Sequence, residues 1–109
     1  MTYVKINDTL YPAVINGRMA DREWGGRESK SITLEMDYAT ANALFVDGLA
    51  WSIVEEAEDE NGTIQQTEWD NSEFDIAGTI TDHRDGRVTV KMGKITDGEA
   101  LAELMEVLA

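Results

Sequence analysis

The sequence predicts an α+β fold, in which an antiparallel sheet or small β-barrel of about six or seven strands carries one short internal helix and one C-terminal helix. Three observations support this class. Apolar and polar residues alternate in short segments along most of the chain, and clusters of Gly, Asn and Asp separate these segments. Only residues 38–47 and 97–108 have helical periodicity. With 109 residues and no cysteine, the chain is expected to form a single domain, 1–109, with a core that needs no disulfide.

The chain begins with a predicted hairpin. Residues 3–7 and 10–15 have strand character, and Asn7 and Asp8 supply the turn between them. Because proline has no N–H to donate to a ladder, Pro12 requires that the second strand lies at an edge of the sheet or that Pro12 faces an unpaired side. An edge at Pro12 would be available to a protein partner.

Residues 18–30 interrupt the strand pattern and contain four of the nine Lys and Arg residues, grouped around Trp24 and a Gly pair. One interpretation is a surface loop whose tryptophan packs over the edge of the core. The other is a contact loop, because Trp beside Arg is typical of interface hot spots. On that second interpretation Trp24, Arg22 and Arg27 contact a protein.

A strand is predicted at residues 31–36, followed by a helix at 38–47 and another strand at 49–54. Asp37 is positioned to cap the helix at its N-terminus, and Gly48 to end it. This order allows either a parallel crossover or a helix that plugs one end of a barrel. The second fits better, because hairpins connect most of the other strands.

Residues 55–75 contain nine acidic residues and no basic one. A turn at Asn61-Gly62 and a return strand at 63–69 make this segment a predicted hairpin with a solvated, negative tip. The spacing does not match a calcium-binding EF-hand loop, so neither a metal nor a cofactor is expected. The acids that are candidates for contact with a protein are Glu55, Glu56, Glu58, Asp59 and Glu60.

Residues 74–94 form a third predicted hairpin, and whether its loop has two or three residues decides its register. A three-residue loop at 84–86 pairs Ile80 with Val90, and it places Gly86 in the left-handed conformation of a bulged turn. A two-residue loop would instead put the apolar residues of the two strands on opposite faces. The alternation also assigns one face of the first strand to Phe74, Ile76, Gly78 and Ile80.

The C-terminal helix is predicted at residues 97–108. Thr96 and Glu99 have the spacing of a capping box, in which each side chain bonds the backbone N–H of the other residue. The apolar residues form one stripe, which must cover a sheet face or a neighbouring subunit: Leu101, Leu104, Met105 and Leu108.

No arrangement of residues indicates catalysis, and the protein is not expected to be an enzyme. His83, the one histidine, is predicted at a surface turn, and no nucleotide-binding or nucleophile motif occurs. The net charge of −13 disfavours direct binding to nucleic acid or anionic lipid. No signal peptide and no long apolar run are recognised, so a soluble protein is expected.

The segments YVKINDTLYPAVINGR and WGGRESKSITLEM resemble short β-rich proteins encoded among prophage and phage virion genes, especially in tail regions. The resemblance covers roughly the first third of the chain and carries over no functional residue. It implies a non-enzymatic virion or assembly component, located in the host cytoplasm or the virion. Such a protein would work by self-association or by docking to other tail proteins.

Three functional hypotheses follow. The leading one is a structural or assembly module that binds protein through edge strands and the Trp24 loop, helped by charge separation between residues 18–30 and 55–75. The alternative is an acidic DNA-mimic-type inhibitor of a basic nucleic-acid-binding protein. A third is a small-ligand pocket, for which the sequence offers only scattered aromatic residues.

Overall fold

A computed structural model describes residues 1–108 and confirms the α+β class, with a seven-stranded antiparallel sheet and two α-helices. The strands are β1 (Thr2–Ile6), β2 (Thr9–Asp21), β3 (Arg27–Leu34), β4 (Ser52–Glu58), β5 (Ile64–Asp70), β6 (Ile76–Asp82) and β7 (Val88–Gly93). The helices are α1 (Tyr38–Leu44) and α2 (Asp97–Leu108). The strand order is β5-β4-β1-β2-β3-β7-β6, so β5 and β6 are the two edges of an open sheet.

Strand β2 is longer than predicted and joins the two halves of the sheet. It runs for 13 residues and continues past residue 15, because β3 pairs with its second half. The break between strands is shorter than the predicted residues 18–30, and consists of a 3-10 turn, Arg22–Trp24, followed by Gly25 and Gly26. Both glycines have positive φ angles, of 66° and 82°, which residues with a Cβ rarely adopt.

Pro12 does not lie at an edge of the sheet, because β2 runs between β1 and β3. It pairs with Tyr3 of β1, and the ladder with β3 begins one residue later, at Ala13. Counting from the two-residue turn of the β1–β2 hairpin, pairs that exchange hydrogen bonds alternate with pairs that do not. Pro12 and Tyr3 form a pair of the second kind, so the backbone nitrogen of Pro12 faces β3 and not β1. Of the two predicted options, Pro12 on an unpaired side of its strand is therefore correct, and β2 at an edge of the sheet is wrong.

The core lies on one face of the sheet. Seven apolar strand residues that are 2 % exposed or less form it, and they are covered by Ala41 of α1 and by Phe45, the residue that follows the helix. Trp51 and Phe74, from the segments that flank the β4–β5 hairpin, complete it, and the indole Nε1 of Trp51 donates to the Phe74 carbonyl at 2.9 Å. The strand residues of the core are Val4, Ile6, Ile32, Leu34, Val88, Val90 and Met92.

Helix α1 begins as predicted and ends three residues early. The Asp37 carboxylate accepts from the Thr40 backbone N–H at 2.7 Å. Gly48 has a φ of 83°, and its N–H donates to the Asp75 carbonyl at 2.8 Å, which turns the chain away from the helix. Because β3 and β4 run in opposite directions in the sheet, the segment is not a parallel crossover. Since the sheet is open, α1 packs on a sheet face near β6 and β7 and does not plug a barrel.

The β6–β7 hairpin has the predicted register, with Ile80 opposite Val90 and Gly86 at a φ of 88°. The predicted face of β6 is wrong, because the register shifts between Ala77 and Ile80. This bulge places Ala77, and not Ile76, on the core side with Ile80.

Candidate protein interaction surfaces

Trp24, predicted as a contact residue, packs against the sheet. Its ring lies over Gly78 of β6 and Gly93 of β7. A Cβ at Gly78 would come within 2.7 Å of Cη2 of the ring, and one at Gly93 within 2.7 Å of Cζ3. The bulge in β6 and the two glycines therefore form a notch for the indole. The indole is half-buried, as in the first interpretation of residues 18–30.

Arg27 connects this notch to α2. Its guanidinium carbon lies 5.1 Å from the centroid of the Trp24 ring, in a cation–π arrangement. Nη1 donates to the Lys94 carbonyl at 2.9 Å and lies 2.6 Å from Oε1 of Glu99, while Nη2 donates to Oε2 of Glu99 at 3.0 Å. Arg27 is thus occupied by partners within the chain, whereas Arg22 is exposed.

Asp21 is a buried carboxylate that the sequence analysis did not single out. It is fully buried at the end of β2, where Lys91 Nζ lies 2.7 Å from Oδ2 and the Ser29 hydroxyl donates to the same oxygen at 3.2 Å. Oδ1 accepts from the Glu23 N–H at 3.0 Å and so caps the 3-10 turn. The hydrogen bond from Lys91, more than any other contact, lowers the pKa of Asp21. The carboxylate therefore holds the turn that carries Trp24.

Residues 18–30 do not form the positive pole on which the predicted charge separation depended. Arg18 lies 3.9 Å from Asp21, and Arg27 is paired with Glu99. Lys30 donates to Asn71 and lies 4.7 Å from the centroid of Phe74. The segment also contains three acidic residues among its four basic ones. The opposite charges expected for residues 18–30 and 55–75 therefore no longer support a contact between these two segments of neighbouring proteins.

The acidic residues are spread along the β4–β5 hairpin and not gathered at its tip, because β4 extends to Glu58. Glu55 accepts from the Thr2 hydroxyl at 2.5 Å and lies 3.4 Å from the N-terminal ammonium. Glu56 accepts from Gln66 at 3.2 Å. The strand alternation puts these two acids on opposite faces. Only Glu58, Asp59 and Glu60 belong to the exposed tip.

Asp59 shapes that tip. Its Oδ1 accepts from the backbone N–H groups of Asn61 and Thr63, both at 2.9 Å, and these bonds lower the pKa of the Asp59 carboxyl. Gly62 follows with a φ of 78°. Such a turn satisfies Asp59 locally and leaves Glu58 and Glu60 exposed to solvent.

Helix α2 presents an apolar stripe to solvent. Leu101, Leu104 and Met105 are 57 %, 55 % and 62 % exposed, so they do not cover the sheet. The predicted capping box is present, with Thr96 Oγ1 accepting from the Glu99 N–H at 3.1 Å and Glu99 Oε1 accepting from the Thr96 N–H at 3.0 Å. The side chain of Leu108, also predicted in the stripe, lies outside what the structure describes.

Pro12 lines a groove on the sheet face that points away from α1. The groove has a volume of about 590 Å³ and is open to solvent. Its apolar residues are Met1, Pro12, Ala13 and Val14, and its polar ones are Thr2, Thr33, Glu35 and Arg87. The predicted interaction residue Pro12 therefore belongs to an exposed sheet face and not to a strand edge.

Within residues 1–108, no group of three or more His, Asp or Glu side chains is arranged to hold a metal ion. His83 is exposed at the β6–β7 turn, where its Nε2 lies 2.7 Å from the Thr89 hydroxyl. In the same part of the chain, neither helix is long and apolar enough to cross a membrane. Comparisons with protein-family models, curated proteins and solved structures gave no match.

The notch at Trp24 predicts that Gly93→Ala lowers the free energy of unfolding by about 1–3 kcal/mol, as overpacking does in other cores. The added Cβ would lie 2.5 Å from Cδ of Arg27 and 2.7 Å from the Trp24 ring. Urea denaturation measures the loss. Gly17→Ala is the matched control, because a Cβ on Gly17 meets no atom within 4 Å.

A second variant isolates the indole. In a Trp24→Ala background, Gly93→Ala should cost clearly less than it does alone, because part of the clash is removed. Equal costs in both backgrounds, or equal effects of Gly93→Ala and Gly17→Ala, would show that the notch does not constrain the sheet.

The Arg27–Glu99 pair predicts a pH dependence. Hydrogen bonds from Arg27, and then from Thr96, lower the pKa of Glu99 from 4.5 to about 2. When folding lowers the pKa of a group, the group stabilises the folded state at pH values above its ordinary pKa. This contribution is lost as the pH falls through the pKa of the folded state. We expect the attachment of α2 to weaken between pH 4.5 and pH 2.

Backbone amide chemical shifts of Thr96 and Glu99, recorded from pH 6 to pH 2, measure this titration. Glu99→Gln should remove it, while Glu103→Gln, on the exposed part of the same helix, should leave it unchanged. A wild-type midpoint near pH 4.5 would contradict the pairing.

Proposed function

We propose that this protein is a non-enzymatic phage or prophage structural or assembly module that acts by protein–protein association. One observation carries the proposal. Helix α2 has 12 residues and exposes more than half of each of Leu101, Leu104 and Met105. Amphipathic helices of this length gain most of their stability by packing the apolar face on a partner. The stripe is therefore a binding surface for protein.

The setting rests on the resemblance of residues 3–18 and 24–36 to short tail-region proteins of phages and prophages. In that setting the partners are other virion proteins or further copies of the chain. A net charge of −13 disfavours nucleic acid and anionic lipid as partners. The host cytoplasm or the virion is the corresponding location.

The alternative, an acidic DNA-mimic-type inhibitor, has less support from the placement of the carboxylates. A mimic presents rows of free acids along one long face. Here the acids of β4 alternate between two faces, and several have partners: Glu55 with Thr2, Glu68 with Lys5 at 3.1 Å, and Glu73 with Lys94 at 3.5 Å. Among the candidate acids of residues 55–60, Glu58 and Glu60 are the exposed carboxylates left for this role.

Capture by the immobilised chain from a lysate of the cells that express it tests the proposal. Wild type should retain a defined protein, and Leu104→Glu should reduce its recovery at least tenfold, because a charge in the stripe opposes burial. Glu103→Gln, on the opposite side of α2, is the matched control and should retain the partner.

The alternative predicts a different pattern. Capture of a nucleic-acid-binding protein that salt abolishes, and that is lost when Glu58, Asp59 and Glu60 become Gln, would favour the mimic. If wild type captures nothing and sediments as a monomer up to about 1 mM, where contacts of about 4 kcal/mol are still detected, association is not its function.

A further inference from the structure

Strand β5 is a regular, free edge of the sheet. It comes last in the strand order, beyond β4, and all seven of its residues are exposed. Its pairing with β4 continues without a register shift from Ser52–Asp70 to Glu58–Ile64. An edge of this kind presents a row of backbone N–H and C=O groups to which another extended chain can bond.

Backbone hydrogen bonds at the two ends of the β4–β5 hairpin identify which residues of β5 point outward. The Asp59 N–H donates to the Thr63 carbonyl at 2.8 Å, and the Asn71 N–H donates to the Trp51 carbonyl at 2.9 Å. Pairs that exchange hydrogen bonds alternate with pairs that do not, and both bonds give the same alternation along β5. The residues whose N–H and C=O groups face away from β4 are Ile64, Gln66, Glu68 and Asp70.

The other edge strand, β6, is protected where β5 is not. Its register shifts between Ala77 and Ile80, and this bulge interrupts the row of edge groups. The Ala77 N–H also donates to the Asp47 carboxylate at 2.8 Å. Bulges, prolines and covering groups are the usual ways in which sheets avoid adding a strand. Residues 64–70 contain neither a bulge nor a proline, so β5 is the edge open to a further strand.

The charges beside this edge have one sign. Directly paired residues of neighbouring strands share a face, which brings four acids of the hairpin together. They are Glu56 and Glu58 of β4, and Glu68 and Asp70 of β5. Lys5 offsets one of these charges, because its Nζ lies 3.1 Å from Oε1 of Glu68. This acidic face therefore keeps a net negative charge, and residues 55–75 contain no basic residue that would reduce it.

Charge decides which strand suits the edge. A second copy of the chain would bring an equal set of acids against the first, whereas a segment with Lys or Arg is complementary. In a strand added antiparallel to β5, the residues opposite Gln66, Glu68 and Asp70 lie on the acidic face, where pairs of opposite charge stabilise the ladder. The residues between them meet Thr67 and Trp69. An apolar side chain fits there, because Trp69 is 51 % exposed.

We propose that β5 is a docking edge for an extended, basic segment of a partner protein, which joins the sheet as an additional strand antiparallel to β5. The recognised segment alternates Lys or Arg, on the acidic face, with apolar residues on the other face. Its backbone bonds the outward N–H and C=O groups of β5, and its side chains provide the selectivity. This surface is separate from the stripe of α2, so either proposal can fail without the other.

NMR titration of the chain with a blocked heptapeptide, in which lysine alternates with valine, tests the proposal. We expect a Kd below about 1 mM, which corresponds to roughly 4 kcal/mol. The outward amides of Gln66 and Glu68 should exchange with solvent more slowly in the complex, because they gain hydrogen bonds. The amides of Gln65 and Thr67 already bond β4 and should change little. A peptide of alternating glutamate and valine is the charge control and should not bind.

Two backbone-methylated peptides of equal charge distinguish strand addition from simple attraction of cations. In the proposed pairing the N–H groups of the lysines point towards β5, and those of the valines point away. Methylation of the lysine backbone nitrogens should weaken binding at least tenfold, because it removes several hydrogen bonds. Methylation of the valine nitrogens should leave the affinity nearly unchanged. Equal affinities of these two peptides would overturn the proposal.

Gln66→Pro is the corresponding change in the protein. The N–H of Gln66 points away from β4, so the proline removes an edge donor and takes no hydrogen bond from the hairpin. Binding of the lysine–valine peptide should weaken at least tenfold. Gln66→Ala is the matched control, because it keeps the N–H, and it should bind like wild type. Circular dichroism confirms that both variants are folded.

The charge of the edge is tested separately. Glu68→Gln should weaken binding of the peptide about two- to fivefold, as expected for one cross-strand ion pair. Glu103→Gln, on α2, changes the total charge equally and should have no effect. Leu104→Glu should bind the peptide normally, which separates this edge from the stripe. If Gln66→Pro binds like wild type, or if wild type does not bind at all, the proposal is wrong.

Discussion

The ion pair between Arg27 and Glu99 joins the C-terminal helix to the sheet, and the position of the exposed stripe depends on it. Both nitrogens at the end of the guanidinium contact the Glu99 carboxylate, and the same group lies against Trp24 and donates to the Lys94 carbonyl. Trp24 is in turn seated on two glycines of the last hairpin. Such a bidentate, stacked arginine fixes direction as well as distance, which a lysine would not do.

The apolar face of the sheet is buried in the core, whereas the apolar stripe of α2 is exposed to solvent. Helix α1 covers the core face of the sheet, so α2 is not needed there. Covering the half-exposed side chains of the α2 stripe would contribute roughly 1 kcal/mol each, half the value for complete burial of a leucine. That amount is too small for tight binding by the helix alone, and it suits a contact that many copies or several proteins make together.

Local rules predicted the parts of this fold that depend on neighbours in sequence. Parity fixed the pairing of Ile80 with Val90, and side-chain spacing gave the cap of Thr96 and Glu99. Tertiary pairing decided the rest. The Asn-Gly dipeptide at residues 16–17 is typical of a turn, yet β3 holds it extended within β2. The bulge in β6 lies beside a contact that is distant in sequence, since the Trp24 ring occupies the space above Gly78.

The sequence predicted some residues of the candidate surfaces correctly and missed or misplaced others. Helical periodicity located the stripe but left open whether the sheet or another subunit covers it. Arg27 and Trp24 have the composition of a contact loop, although their contacts are internal. Asp21 has only a weak sequence signal, its place before a turn with two glycines, since its partner Lys91 lies 70 residues away in the chain.

The central proposal is that the exposed stripe of α2 is a binding surface for protein. Methyl NMR spectra, recorded as the protein captured from the lysate is added, test it most directly because each stripe residue carries methyl groups. The account predicts that the methyls of Leu101, Leu104 and Met105 shift along one shared binding curve. Shifts elsewhere in the chain without shifts in the stripe would contradict it.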